Sequence, residues 1–134
     1  MGRGSYYSVD SLNGIYVLLV EHDANARAML MSVLQYCGAL VTAVASGSAA
    51  LDSMRQVKPD VLVVALMRDE GEGYGLVHLV RALKPEEGGV VPIVVVSEDP
   101  PPEQAGRGFD AHLPRPFDPW TLCRLVSQLV ITGR

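Results

Sequence analysis

The chain is short of basic clusters, long apolar runs and cysteine, and each shortage weighs against a class of function. Its 11 Lys and Arg face 15 Asp and Glu, a formal net charge of −4, and nowhere gather into a patch. Sequence-independent nucleic-acid binding needs a basic stripe facing the phosphates, so no nucleic-acid partner is expected. The longest unbroken apolar run, Val61 to Met67, falls far short of the roughly 18 residues of a membrane span. No basic n-region followed by an apolar h-region opens the chain, so no secretory signal is expected. The two cysteines, Cys37 and Cys123, lie far apart in no metal-binding or redox spacing and read as reduced core thiols.

Phosphate-cradling loops are also missing. After the first apolar run, where a nucleotide binder places Gly, Ser or Thr with free backbone N–H groups, stands Glu21-His22-Asp23. The stretch Gly71-Glu-Gly-Tyr-Gly75 lacks the third glycine of a dinucleotide fingerprint and does not follow the first strand. No Ser-His-Asp or Cys-His arrangement can be argued from spacing. The chain is therefore not expected to be an enzyme, and no cofactor is expected.

What is present is a core. At 134 residues and 49% hydrophobic content, the chain has the size of one domain. Folding a chain of this mass removes roughly two-thirds of its accessible surface, about 14,000 Å². Residues 1–14, rich in Gly, Ser and Tyr, read as a flexible N-terminal tail, and residues 15–134 as a single cytoplasmic domain.

Within that domain the apolar period alternates between two values. Ile15 to Val20 is a short run, apolar on both faces, as in a strand inside a parallel sheet. Leu30, Val33, Leu34 and Cys37 then follow helical spacing, with Gly38 as a stop. Leu40–Ala45 reads as the second strand. Ser46 caps a helix with Ala50, Leu51, Met54 and Val57 inward, ended by Lys58-Pro59. Asp60–Met67 is the most strand-like run, and Gly71, Gly73 and Gly75 suggest a permissive loop. Leu76, Leu79, Val80 and Leu83 form a third helical stripe, Val90–Ser97 a fourth strand and Ala111–Leu113 a short fifth. Asp118-Pro119 opens a last helix with Leu122, Leu125, Val126 and Leu129 inward. Strands alternating with helices predict a flavodoxin-like, doubly wound (βα)5 fold with a five-stranded parallel sheet in the order 2-1-3-4-5. Its functional crevice then lies at the carboxyl ends of strands one and three.

The crevice segments resemble a known family. Val17-Leu-Leu-Val-Glu-His-Asp23, Lys58-Pro-Asp-Val-Leu-Val-Val64, Val91-Pro-Ile-Val-Val-Val-Ser97 and Gly108-Phe-Asp-Ala-His-Leu-Pro-Arg-Pro-Phe117 are similar to the receiver domains of two-component response regulators. The style is that of receivers attached to hybrid sensor histidine kinases. The likeness runs from about Ile15 to Ile131. It implies a phosphorelay role in which a kinase histidine passes a phosphoryl group to an aspartate at the end of strand three. Two acidic groups after strand one would hold Mg²⁺ against the phosphate charge. A hydroxyl after strand four and a lysine after strand five would bind the phosphoryl oxygens.

Placed on this chain, the pattern survives only in part. Glu21 matches the first acidic position and Ser97 the hydroxyl, but His22 replaces the second acid and Arg115 the lysine. The phosphoacceptor position is Ala65, and a methyl group accepts no phosphoryl group. One engineered change would account for Ala65 alone, not for His22 and Arg115 as well, so natural degeneracy is expected. Asp60 lies at the wrong end of its strand to substitute, and Asp69 starts on the order of 10 Å away. Metal binding is therefore doubtful, with Glu21 and His22 the weak candidates. Arg115 keeps the positive charge and is expected to pair with Glu21. His112 stands where an aromatic side chain usually reports the switch, and Phe117 follows the Arg115-Pro116 pair. Three prolines, Pro100 to Pro102, predict a shortened fourth helix and a remodelled output face.

Two functions remain. The first is a pseudo-receiver acting as a phosphorylation-independent protein-interaction module, its partner a histidine kinase or other regulator, with homodimerisation open. The alternative is an atypical receiver still regulated by a metal, a ligand or a non-standard phosphosite.

Overall fold

The computed structural model describes residues 12–65, 71–98 and 108–132. Short apolar runs form five strands: β1 (Tyr16–Glu21), β2 (Leu40–Val44), β3 (Val61–Ala65), β4 (Ile93–Ser97) and β5 (Ala111–Pro114). Periodic segments form α1 (Ala24–Tyr36), α2 (Gly47–Gln56), α3 (Gly71–Arg81) and α4 (Pro119–Thr132), with a 3-10 turn at Pro85–Glu87. The strands are all parallel in the order β2-β1-β3-β4-β5. This is the predicted flavodoxin-like arrangement. The shortened helix expected between β4 and β5 falls on residues 99–107, outside the described residues. Among the described residues, no helix is long and apolar enough to cross a membrane.

Period-two alternation deals the strand side chains to two layers. Val17, Leu19, Val61, Val63, Ala65, Val94, Val96 and Leu113 pack under α1 and α4 against Leu30, Leu34, Leu122 and Val126. Leu18, Val20, Leu62, Val64, Ile93 and Val95 face Ala50 and Met54 of α2 and Tyr74, Val77 and Val80 of α3. Because both faces are covered, the strands read as continuous apolar runs rather than alternating ones.

Several boundaries differ from the sequence expectation. Leu12 is fully buried; its N–H donates to the Cys37 carbonyl (3.0 Å), and its own carbonyl accepts from Ile15 (2.9 Å). Leu12 to Gly14 therefore belong to the packed domain rather than to a tail, because an apolar side chain and two backbone bonds hold them to the end of α1. Residues 1–11 lie outside the described residues. The glycines expected in a loop are helical instead: α3 starts at Gly71, and burial of Tyr74, Leu76 and Val77 outweighs the weak helix propensity of glycine. That phase leaves Leu79 just beyond the edge of the buried arc and 57% exposed. Val57 is exposed too, having left α2 in extended geometry as its C-cap.

Gly38 closes α1 at φ +102°, a conformation that disfavours any residue with a Cβ. A Cβ there would also approach the Asn13 Cα to 2.9 Å. Gly38→Ala is expected to lower stability by about 1–2 kcal/mol, read as a lower urea midpoint at unchanged slope.

Candidate functional site

The carboxyl end of β1 carries the site. Glu21 continues the Val17–Leu19 side of the strand, toward α1 and α4, and is fully buried. Burying a carboxylate requires partners for its oxygens. One oxygen accepts from the Arg115 guanidinium, Nη2 to Oε1 3.1 Å, and the other from the Asp23 backbone N–H at 2.9 Å. Arg115 is delivered from the turn after β5, ninety-four residues away in sequence. Its backbone N–H donates to the Ser97 carbonyl (3.0 Å), which fixes that turn to the end of β4. The Arg115 side chain is 23% exposed, so one edge of the pair meets solvent.

Ala65 sits beside Glu21 in the β1–β3 register and is 6% exposed, its methyl part of the apolar cluster that includes Leu30 and Leu113. Ser97, at the end of β4, is nearly buried, and its hydroxyl is hydrogen-bonded to Nε2 of His112 on β5 at 2.8 Å. Among the described residues the crevice thus holds one buried ion pair, one hydroxyl–imidazole pair and an apolar floor.

Comparison with known proteins places the chain in a family. No protein-family model matches the chain. It is 32% identical over 116 residues to an uncharacterised 14.6 kDa protein of Leptolyngbya boryana, covering 84% of this chain and 87% of that one. A probable transcriptional regulator of Guillardia theta is 29% identical over 107 residues, which are 77% of this chain but 40% of the regulator. The chain thus spans less than half the length of that regulator. The receiver domain of a sensor histidine kinase from Pseudomonas aeruginosa, with a magnesium ion coordinated in its active site cleft, matches with a TM-score of 0.75 at 26% identity. The match covers 87% of this chain and 98% of that domain. The chain belongs to the response-regulator receiver family.

In this receiver the residues expected from the sequence do not all converge. Glu21, Ala65 and Ser97 lie at the carboxyl ends of β1, β3 and β4, and Arg115 in the turn after β5. His22 is exposed. Asp23 caps α1, its side chain accepting from the Ala26 N–H at 2.8 Å. Among the described residues, no three His, Cys, Asp or Glu side chains are grouped to hold a metal. Asp60 lies at the opposite end of β3, where it accepts from the Tyr16 N–H at 2.8 Å. Asp69 falls outside the described residues. Phe117 is partly buried against the α1–α4 layer. It also lines an apolar cavity of about 490 Å³ with Met29, Leu30, Arg115, Pro116 and Pro119.

Arg27 is a site residue that the sequence reading missed. Its guanidinium donates to the carbonyls of Glu21 (3.0 Å) and His22 (3.3 Å), tying the β1–α1 turn to the first turn of the helix. The available signal was its position four residues after the capping Asp23, which points a long side chain back over that turn.

Proposed function

We propose that this receiver signals through protein contacts, without phosphoryl transfer to an acceptor at the end of β3. Ala65 carries this reading. The family pattern puts the acceptor there, and the side chain is a methyl packed into the apolar layer. A phosphoryl group at that point would have no bond to the protein and no polar floor.

The same crevice suits a divalent ion poorly. Mg²⁺ takes oxygen ligands in octahedral geometry and usually one or two carboxylates. The residues offer one carboxylate, Glu21, with both oxygens already bonded, and an exposed imidazole, His22, a nitrogen donor better suited to transition metals. Arg115 brings its own positive charge to Glu21, so a cation would have to displace a guanidinium. The guanidinium stands in for the ion and holds the β1 and β5 ends together in one arrangement. The ligand-independent arrangement is what a kinase or another two-component regulator would recognise.

The test is incubation with acetyl phosphate, or with beryllofluoride and Mg²⁺, followed by intact-mass measurement and amide chemical shifts. No mass increase and unshifted resonances at Glu21, Ala65, Ser97 and Arg115 are expected. A stoichiometric adduct, or saturable crevice shifts with Mg²⁺ alone, would overturn the proposal and favour a receiver still under ligand control.

A further inference from the structure

Outside the crevice, one pair of reactive side chains meets in the core. Cys37 caps the end of α1, Cys123 lies in the first turns of α4, and 86 residues separate them. Their sulfurs are 3.1 Å apart. Both residues are buried, Cys37 fully and Cys123 at 1% exposure. The Cys37 thiol donates to the Cys123 sulfur, and Cys123 lies 3.9 Å from the Val33 carbonyl.

We infer that Cys37 and Cys123 form a redox-closable staple between α1 and α4, reduced as described and oxidised to an intramolecular disulfide by a peroxide. An S–S bond requires ~2.05 Å, so the sulfurs must approach by about 1 Å. Leu12 is held by its N–H to the Cys37 carbonyl and shares the apolar cluster of both cysteines, so peroxide reaches them through local opening of that cluster.

The order of attack follows from the surroundings. Burial, reinforced by the contact with Cys37, pushes the Cys123 thiol well above the ordinary cysteine range, so it stays protonated. The first attack is assigned to Cys37. Its thiolate displaces hydroxide from hydrogen peroxide, giving a sulfenic acid at Cys37. The Cys123 sulfur then attacks that sulfenic sulfur, the S–S bond forms and water leaves with the Cys123 proton. Overall, two thiols and one peroxide give one disulfide and two waters: the sulfurs lose two electrons and the peroxide gains them.

The consequence is a tether beneath the crevice. α1 carries Arg27 and Met29, and α4 follows directly from the Arg115–Phe117 turn. Joining them restricts the groove between the two helices without touching Glu21 or Arg115. The staple does not depend on how the crevice signals.

The whole chain treated with hydrogen peroxide, then denatured and alkylated with a maleimide, tests this. Loss of both free thiols is expected, with a monomer two hydrogens lighter and a cross-linked peptide pair containing Cys37 and Cys123. Closing so long a loop is expected to raise Tm by roughly 10 °C, reversed by dithiothreitol and absent in Cys123→Ser. Two alkylatable thiols after treatment, a disulfide between molecules, or sulfinic acid on one cysteine alone would overturn the staple. The thiol count on the unsubstituted chain decides even where Cys123→Ser folds poorly.

Discussion

Arg115→Ala is expected to lower the unfolding free energy by about 2–3 kcal/mol, or Tm by roughly 7–10 °C. The reason lies in its partner. Glu21 is fully buried, and one of its two oxygens has the guanidinium as its partner. Removing one member of a buried pair strands the other charge, at about 3–5 kcal/mol for fully dry pairs. The 23% exposure of Arg115 admits water to the gap and trims the figure. Arg115→Lys is expected to recover only part of the loss, because an ammonium is a point charge without the planar fork. Glu21→Gln in the Arg115→Ala background should restore stability, since the stranded charge is gone while the Asp23 N–H keeps an acceptor. Urea denaturation of the parent, Arg115→Ala, Glu21→Gln and the double variant measures the coupling directly. A loss below about 0.5 kcal/mol for Arg115→Ala would show that Glu21 is hydrated without its partner, and the ion pair would no longer explain a fixed crevice.

A second arginine is expected to matter more for folding than the first. Arg81, the last residue of α3, donates through Nε to the Gly108 carbonyl (2.6 Å) and through Nη1 to the carbonyls of Gly89 (3.0 Å) and Val91 (2.7 Å). Its Nη2 reaches Asp110 at 3.0 Å, and the same Asp110 oxygen accepts from the Ile93 N–H at 2.8 Å. One side chain thus gathers the entries to β4 and β5 beneath the end of α3. Arg81→Ala removes four charge-assisted bonds and leaves three backbone carbonyls to find water. The expected loss is about 3–4 kcal/mol, or more than 10 °C in Tm, with amide exchange rising first at Ile93 and Asp110. Arg81→Lys cannot span four acceptors and is expected to recover less than half. An Arg81→Ala variant melting within about 3 °C of the parent would show that the carbonyls are solvated without the clamp.

The two arginines also show where sequence reading stops. Both lie in segments whose secondary structure was legible: Arg115 in the turn after a strand, Arg81 at a helix end. Arg115 was singled out because the family pattern marks its position. Arg81 was passed over because a basic residue in a last helical turn is ordinary in sequence. Its acceptors, eight to twenty-nine residues downstream, come within reach only when β4 and β5 enter the sheet side by side. The cysteines are free and buried, as expected, but their meeting was not legible either. A sequence separation of 86 residues gave no sign of a contact, and the α1–α4 layer made one.

Helix stripes were legible to within a residue or so of rotation. The period identifies a helix and the general direction of its apolar face, but Leu79 and Val57 lie outside the buried arcs assigned to them. The phase of α3 depends on where it begins, and three glycines concealed that start at Gly71.

The amino-acid sequence by itself determined the alternation of strands and helices, the parallel sheet and the strand ends at which Glu21, Ala65, Ser97 and Arg115 gather. Those properties follow from local periodicity, which is written in neighbouring residues. The tertiary structure decided how both Glu21 oxygens are occupied, that Ser97 bonds His112, that Leu12 belongs to the core and that two distant thiols touch. These are contacts between elements. They depend on sheet register and on the rotation of each helix against it, quantities that emerge only when all the apolar faces are buried together.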